Sequence, residues 1–421
     1  MRHARARGVS NLSGLGWTRV WYFAPTALSG AIAVGSIPLL ILAIGHGSWA
    51  QLALGQSIGL VGSVLVSLGW PVTGPSEIAE STPAVQYSIL VRSLWVRLLL
   101  MIPVSVGMLA VAIILPDSWN PVFIWTSIAT TLLGLTSGWF FLGLDRPIAL
   151  FVFDGLARGL GTIVGLVFSL LFHDGLYYPA GLAVGLGASI FGTVLYARRR
   201  TTLRRARVGL SELLSLVRRQ GTGLGFNLSY VLLSSLALPL TSYLGSQAFL
   251  AFTAIDKIQK QLVTVMLPFV QIVVGRMSRD VSSNKGLYDA AVASVRHIFI
   301  SALLIFVVTI MVSPAVVSLL SLGAVTLDSA SGFAFSLLVS LAFTTQCIPV
   351  AVMAPLKRLR VGFWGNVAGA LILIPAIILL GRSSITGILV SADLAFGVSL
   401  AFLLFGVRDL GKVEEGERSL V

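Results

Sequence analysis

The sequence predicts an all-α membrane protein with about twelve transmembrane helices. Three observations predict this class: the composition, the length of the apolar segments and the distribution of basic residues. Of the 421 residues, 56% are hydrophobic, 43 are glycine and only 11% are charged, whereas about 25% of an ordinary soluble chain is charged. A soluble core cannot bury this much apolar sequence. The composition therefore excludes a soluble globular protein, a disordered chain and a nucleic-acid-binding domain.

Apolar segments of about twenty residues recur along the chain, and this is the length that an α-helix needs to cross a bilayer. Several tryptophans lie near the ends of these segments, where interfacial anchors are common. A membrane β-barrel would show short segments of alternating polarity instead. The predicted spans are residues 20–44, 50–74, 96–115, 122–142, 148–172, 178–196, 222–244, 248–274, 296–321, 331–355, 361–380 and 385–406.

Basic residues are concentrated in alternate connections between the predicted spans. Arg382 is the single arginine or lysine in the odd-numbered connections, counted from the N-terminus. The even-numbered connections and both termini contain many. Short basic loops stay on the cytoplasmic side, so we expect cytoplasmic termini and an even number of spans. The basic residues 1–7 then precede a retained first span and not a cleaved signal peptide. External connections such as 45–49 and 381–384 are too short to form a catalytic domain.

The connection at residues 197–220 is the longest between two spans. It begins with a cluster of arginines, after which Leu210, Leu213, Leu214 and Val217 repeat at helical spacing. This pattern predicts a basic amphipathic helix on the anionic inner leaflet. Such a helix would serve either as a topological anchor and linker or as a lid that recruits lipid.

The same connection divides the predicted spans six and six. We predict an N-terminal six-helix lobe at residues 1–196, a cytoplasmic linker at 197–220, and a C-terminal six-helix lobe with a short cytoplasmic tail at 221–421. Because each lobe begins in the cytoplasm, the two lobes are expected to be parallel and to enclose a central cavity.

Motifs of soluble enzymes are absent from the sequence. There is no phosphate-binding loop, no HExxH and no GxSxG. The four histidines have no metal-ligand spacing, and the single cysteine, Cys347, excludes an intramolecular disulfide. We therefore expect no metal and no cofactor beyond a coupling proton or sodium ion.

Charged residues inside the predicted spans are the main functional signal, because a charge in hydrocarbon is costly and faces a bundle interior or a cavity. Asp154 and Arg158 lie four residues apart in the fifth span, share one face of the helix and can form an ion pair. Asp256 and Lys260 have the same spacing in the eighth span, where Lys257 projects about 100° away. After pairing, Lys257 leaves a net positive charge at depth.

Two interpretations of these charges compete: buried ion pairs that fix helix register, or the lining of an internal cavity. The eighth span carries three charged residues, and both lobes have charged residues inside their spans. Both observations favour the cavity. A cationic, polar cavity suits an anionic headgroup such as a phosphate, while Asp256, or Asp393 in the twelfth span, would bind a coupling proton or sodium ion. Polar residues at helical spacing nearby are Asn227, Tyr230, Ser234, Gln271, Thr345 and Gln346.

Three stretches resemble motifs of a known family. They are residues 69–79 (GWPVTGPSEIA), residues 139–146 (WFFLGLDR) and the Asp-Lys-Ile at 256–258. Together with their placement on the predicted spans, they resemble the polysaccharide-transport branch, of the O-antigen flippase type, of the multidrug/oligosaccharidyl-lipid/polysaccharide exporter superfamily.

The resemblance implies a transporter and no enzyme, namely a flippase in the bacterial cytoplasmic membrane. It would move undecaprenyl-pyrophosphate-linked oligosaccharide from the inner to the outer leaflet for lipopolysaccharide and other polysaccharide synthesis. Two lobes would rock around the cavity, usually driven by an ion gradient. The implied partners are the lipid-linked oligosaccharide, anionic membrane lipids, and a polysaccharide polymerase and ligase, but no nucleic acid.

Candidate site residues follow from the charges and the resemblance together. By position, Asp256 and Lys257 match the family's charged pair in the eighth span. The predicted substrate-binding residues are Lys257, Arg158, Lys260, Asn227, Tyr230 and Gln346; the predicted ion-coupling residues are Asp256, Asp393 and Asp154; and the predicted gate or packing residues are Arg19, Glu77, Asp145 and Arg146.

Two alternative functions remain open from the sequence. A multidrug or metabolite antiporter of the same superfamily would bind cationic drugs, and the positive charge at depth argues mildly against it. A membrane glycan polymerase or ligase would use the same lipid-linked substrate, but such enzymes usually carry catalytic residues on a substantial external loop, and the external connections here are short.

Overall fold

The structure is a computed structural model that describes residues 12–115, 119–199, 220–282, 287–356, 358–382 and 384–418. Within these ranges, the side chains of residues 12–20, 84, 222, 267–276, 278–287 and 410–418 lie outside the description. All regular structure in the described ranges is helical, and no strand occurs in them. The predicted all-α class is therefore confirmed.

Fifteen α-helices, with three short 3₁₀ or π segments, make up the described chain. They are α1 (Leu12–Ser67), α2 (Trp70–Glu80), α3 (Pro83–Ile114), α4 (Pro121–Thr131), a 3₁₀ turn (Leu132–Leu135), α5 (Gly138–Gly143), α6 (Pro147–Leu150), a π segment (Phe151–Leu156), α7 (Ala157–Phe172), α8 (Tyr177–Arg198), α9 (Gly221–Ser235), α10 (Ala237–Thr241), α11 (Ser246–Ser282), α12 (Leu287–Leu320), α13 (Ser329–Ile348), a π segment (Pro349–Met353), α14 (Leu359–Leu380) and α15 (Ile385–Arg418).

Ten stretches in the described part of the chain are long and apolar enough to cross a membrane. One of them, Trp21–Glu80, has 60 residues and contains the first two predicted spans. Non-helical backbone at Gly45 (φ 76°, ψ 163°) divides it, because glycine adopts positive φ without steric cost. The charged helix α11 occupies the predicted eighth span and is not among the ten. A total of twelve crossings stays a prediction.

The predicted fourth span, 122–142, is broken in its second half. Helix α4 ends at Thr131, a 3₁₀ turn follows, and Thr136 is extended (ψ 150°) before α5 begins. The break frees backbone carbonyl groups, which must find donors within the protein because lipid offers none.

Arg97 of α3 supplies these donors. Its guanidinium is fully buried and donates to the carbonyl oxygens of Gly134 at 3.2 Å and Thr136 at 2.7 Å, and to Ser137 Oγ at 3.1 Å. It also lies 5.7 Å from the ring centroid of Trp139. Arg97 lies at the start of the predicted third span and belongs to none of the sequence motifs, so the structure adds it as a packing residue.

Helices α7 and α8 approach each other through glycines. A Cβ atom at Gly181 would lie 2.4 Å from the Gly161 carbonyl oxygen, and one at Gly161 would lie 2.5 Å from the Gly185 Cα. Such close backbone approach through small residues is typical of helices that pack in a membrane.

The two halves of the sequence meet chiefly along α1, which packs against α9 and α11. The largest apolar cluster joins Leu40 and Leu52 of α1 to Phe252 of α11 and Phe335 of α13. The predicted amphipathic helix at 200–219 and the basic residues 1–7 lie outside the described residues. The division into two parallel six-helix lobes therefore stays a proposal.

Candidate functional site

A cavity of about 410 Å³ lies between α1, α4, α7 and α8 on one side and α9, α11 and α13 on the other. Helices from both halves of the sequence thus line it, as a site between two lobes requires. Five of the six predicted substrate-binding residues are on its wall; the sixth, Asn227, lies on α9 outside the lining set. The five are Arg158, Tyr230, Lys257, Lys260 and Gln346, and further polar wall residues are Ser29, Gln56, Thr130, Thr162, Ser234, Gln259, Gln261 and Thr264.

The predicted ion pair within α11 is present. Lys260 Nζ lies 2.8 Å from Asp256 Oδ2, and the two side chains are 16% and 4% exposed. The same ammonium lies 3.4 Å from Ser57 Oγ of α1, so it also bridges the two halves. Asp256 borders a separate small void beside Phe252 and is not among the residues that line the cavity. Asp256, which does not line the cavity, therefore neutralises the charge of Lys260.

Lys257 is an unneutralised cation of α11. It is 7% exposed and lines the cavity, one position along the helix from Asp256. Among the described side chains, its ammonium takes part in no ion pair or hydrogen bond. A buried ammonium that forms no ion pair is costly, so the cavity suits an anion that would approach Lys257.

Arg158 is the second cavity cation and comes from the other half of the sequence. Its Nη2 donates to Ser29 Oγ of α1 at 2.6 Å. The ion pair with Asp154 that the i, i+4 spacing allows does not form in the described part of the chain. Asp154 lies in the π segment, whose wider i→i+5 turn moves it off the face that Arg158 occupies.

Asp154 and Asp393, two of the predicted ion-coupling residues, are not on the cavity wall. One carboxylate oxygen of each is buried with no hydrogen-bond partner among the described residues. Asp393 lies instead in a separate pocket of about 660 Å³ between α13 and α15, whose lining is apolar apart from Asp393 and Thr386.

The first two motif stretches pack against each other, although about sixty residues separate them. Trp70 of α2 stacks on Trp139 of α5 with ring centroids 5.2 Å apart. A Cβ at Gly74 would lie 2.4 Å from the Trp139 ring, and one at Gly143 would lie 2.6 Å from the Pro75 carbonyl oxygen. The motif glycines therefore permit the close contact of α2 with α5.

The predicted gate residues lie around this contact and away from the cavity. Glu77 is half-buried on α2, and the exposed Asp145 accepts a hydrogen bond from the Tyr22 hydroxyl of α1. Arg146 is exposed and borders a second pocket beside α3 and α8. The side chain of Arg19 lies outside the described residues. A gating role for the four stays a prediction.

Hydrogen bonds join the two halves at both ends of the bundle. At the end where α1 breaks, the Tyr243 hydroxyl donates to the Ile114 carbonyl at 3.0 Å, and His46 Nε2 lies 3.3 Å from the Ser321 carbonyl oxygen. At the opposite end, the Thr73 hydroxyl donates to Gln220 Oε1 at 2.7 Å, directly before α9, and a Cβ at Gly223 of α9 would lie 3.3 Å from the Gly69 Cα. The cavity is thus bounded at both ends by contacts between the halves.

Comparison with known proteins identifies the fold. No family model matches this sequence, and no curated protein matches it. Among similar solved structures are the eukaryotic MATE transporter AtDTX14 (15% identity, TM-score 0.60, covering 93% of this chain and 94% of that one), the lipid II flippase MurJ in an inward closed conformation (13%, 0.52, 94% and 86%) and a mutant of the Vibrio cholerae MATE transporter VcmN (15%, 0.51, 94% and 96%).

Identities this low establish the fold alone. The ten apolar stretches and the structural likeness agree on a membrane architecture. The chain is therefore a multi-pass membrane protein with the fold that MATE transporters of the MOP superfamily share with the lipid II flippase MurJ.

Proposed function

We propose that this protein is a transporter that flips undecaprenyl-pyrophosphate-linked oligosaccharide across the bacterial cytoplasmic membrane by alternating access. The observation that carries the proposal is the pair of cations, Lys257 and Arg158, that line one cavity from opposite halves without a carboxylate partner among the described residues. A pyrophosphate would supply the missing negative charge. The motif resemblance, and the likeness of the fold to a lipid II flippase, support the choice of substrate class.

The substrate would be held by different chemistries along its length. Arg158 presents a planar fork suited to phosphate oxygens, while Lys257 acts as a compact charge. Tyr230 and Gln346, also on the wall, would hydrogen-bond sugar hydroxyls. The lipid tail would stay in the bilayer beside the bundle, because burying it in a polar cavity would gain nothing.

Lys260 and Asp256 would link substrate binding to ion movement. An incoming pyrophosphate would compete with Asp256 for the Lys260 ammonium, which lies 2.8 Å from that carboxylate. The released carboxylate would then take up a proton or sodium ion. This coupling is part of the proposal, and Asp393 and Asp154 remain candidates for the same role.

The test is the leaflet location of lipid-linked glycan in intact spheroplasts, read with a probe that cannot cross the membrane. Deletion of the protein should trap the glycan on the cytoplasmic side. Export in cells complemented with Lys257→Gln should be at least about tenfold lower than with wild type, because one charge-assisted hydrogen bond is lost. Lys257→Arg should retain substantial export. Arg382→Gln, which removes an exposed charge far from the cavity, should export normally.

Two results would overturn the proposal. Glycan that reaches the outer face normally without the protein would contradict the flippase function. Full export by Lys257→Gln at normal protein level would contradict the role of the cationic cavity.

A second candidate function, multidrug or metabolite antiport, is favoured by a different observation. The pocket of Asp393 is apolar, lined by residues such as Phe333 and Leu337, and holds a buried carboxylate oxygen with no partner among the described residues. This combination suits a lipophilic cation, and several structural neighbours are MATE transporters. If this function holds, Asp393→Asn will abolish resistance to lipophilic cations and Lys257→Gln will not.

A further inference from the structure

The pocket that Arg146 borders lies away from the cavity, at the end of the bundle where Arg198 and Arg199 are exposed. It measures about 350 Å³ and is enclosed by the start of α3, the end of α5 and the last turn of α8. Phe140 and Ala197 form a buried apolar floor, and Leu144 and Tyr87 add half-buried walls. The pocket is thus mostly apolar, yet it is open at a place where three helices end.

Arg146 gives this pocket its charge. Its side chain is exposed and, among the described residues, is the only ionised group on the wall. The neighbouring Asp145 is the nearest acidic residue in sequence, but its carboxylate accepts the Tyr22 hydroxyl of α1. In the described part of the chain, no hydrogen bond or ion pair engages the Arg146 guanidinium. The arginine is therefore free to bind an anion.

The surroundings place the pocket at the level of the lipid headgroups. On one side, the apolar side chains of Val85, Leu142 and Ile148 are 48%, 43% and 60% exposed, as lipid-facing residues are. On the other side, Arg198 and Arg199 directly follow the lining residue Ala197 and are exposed. An apolar surface that changes to a basic one within a helical turn marks the boundary of a bilayer.

We infer that this pocket binds the headgroup of an anionic glycerophospholipid, with the phosphate on Arg146 and the first part of an acyl chain along Phe140 and Leu144. Arginine suits the site because its planar fork pairs with phosphate oxygens through two parallel hydrogen bonds. The Tyr87 side chain on the same wall offers a phenol at the headgroup level, where tyrosines are enriched. The inference is independent of what the central cavity transports.

The experiment measures lipid retained by the purified full-length protein from phosphatidylcholine nanodiscs containing phosphatidylglycerol. Native mass spectrometry counts the bound phosphatidylglycerol, and thermal unfolding reports stabilisation. Arg146→Gln should lower its retention about five- to tenfold, as expected for one interfacial arginine. Arg146→Lys, which keeps the charge but not the fork, should lose less.

Arg408→Gln is the matched control. It removes the same charge from an exposed position at the same basic end, beside Asp409, whose carboxylate pairs with Arg358. Retention should change by less than about twofold in this variant, because Arg408 does not line the pocket. Equal losses in Arg146→Gln and Arg408→Gln would show general attraction of anionic lipid and overturn the site.

A further measurement distinguishes a lipid headgroup from a free phosphate as the ligand of this pocket. Sodium phosphate replaces phosphatidylglycerol in nanodiscs of phosphatidylcholine alone. If inorganic phosphate stabilised the wild-type protein as much as phosphatidylglycerol does, and the effect vanished in Arg146→Gln, the ligand would be a soluble phosphate and the lipid assignment would be wrong. No stabilisation by phosphate is the expected result.

Discussion

Lys257 and Lys260 stand three residues apart on one helix, yet their electrostatic situations differ. The Lys260 ammonium forms an ion pair with Asp256 at 2.8 Å. Lys257 forms no ion pair with any of the described side chains. A structural charge should be needed for stability, while a binding charge costs stability in the empty protein. The two lysines can therefore be told apart by unfolding experiments.

We predict that Lys257→Met will be at least as stable as wild type, because it removes an uncompensated buried charge. Asp256→Leu should be less stable by about 3 kcal/mol, because it leaves the Lys260 ammonium uncompensated. Thermal unfolding in detergent measures both. Equal destabilisation in the two variants would mean that Lys257 is a structural residue.

Arg97 should behave in the opposite way. Arg97→Leu would leave the carbonyl groups of Gly134 and Thr136 without donors in a place that water does not reach. We expect a loss of about 3 kcal/mol or more, with a partial loss for Arg97→Lys. Arg382→Leu serves as the control at an exposed site. Wild-type stability of Arg97→Leu would contradict the account of the broken helix.

Residue spacing predicted the Asp256–Lys260 pair but failed for Asp154 and Arg158. Both pairs have i, i+4 spacing, and in α11 the helix is regular, so the side chains meet. Between Asp154 and Arg158 the backbone changes from π to α geometry. Spacing predicts contact only when the helix type is known, and the sequence offers no clear signal of the π turn.

At the scale of the helices, the breaks matter as much as the spans. Hydropathy located the apolar segments because it measures transfer of side chains into lipid. It did not locate the interruption at 132–137, since the residues there are as apolar as their neighbours. The buried Arg97 is the one sequence signal for such a break, because a charge at that depth implies exposed backbone carbonyl groups nearby.

The break at Gly45 gives a matched pair of variants. Gly45 has φ 76° and Gly47 a helical backbone, and a Cβ at either would meet no atom within 4 Å. Gly45→Ala should therefore lose about 1–3 kcal/mol from backbone strain alone, because φ 76° with ψ 163° is a region that only glycine adopts readily. Gly47→Ala should be neutral or slightly stabilising. Similar thermal midpoints for the two variants would show that the break does not depend on a left-handed residue.

At the scale of the whole molecule, the two halves are held together at both ends of the cavity. Alternating access requires the contacts at one end to open while those at the other close. The sequence predicted a cavity between the halves because charged residues occur inside predicted spans of both halves. It did not predict that Asp393 would lie in another pocket, since a sequence gives the depth of a residue but not the direction of its side chain.

The Tyr243 contact tests the coupling of the two halves. Tyr243→Phe removes its hydrogen bond to the Ile114 carbonyl, and the loss of about 1 kcal/mol should shift the population about fivefold towards opening at that end. Spin labels on Asp174→Cys and Leu322→Cys, one on each half, would report the distance. The lone native Cys347 is buried and does not compete for label.

Tyr177→Phe is the control, because it removes a hydroxyl at the same end without altering that contact. The labelled distance distribution should remain that of wild type. If Tyr243→Phe also left the distribution unchanged, this hydrogen bond would not restrain the opening of the two halves.

The most direct test of the account is whether the cavity recognises pyrophosphate through Lys257 and Arg158. Binding of undecaprenyl pyrophosphate to the purified protein would be compared with binding of undecaprenol, which has the same tail and no charge. The account predicts preferential binding of the pyrophosphate, weakened about tenfold or more by Lys257→Gln or Arg158→Gln and unchanged by Arg382→Gln. Equal binding of the two lipids, or full pyrophosphate affinity without both cations, would contradict it.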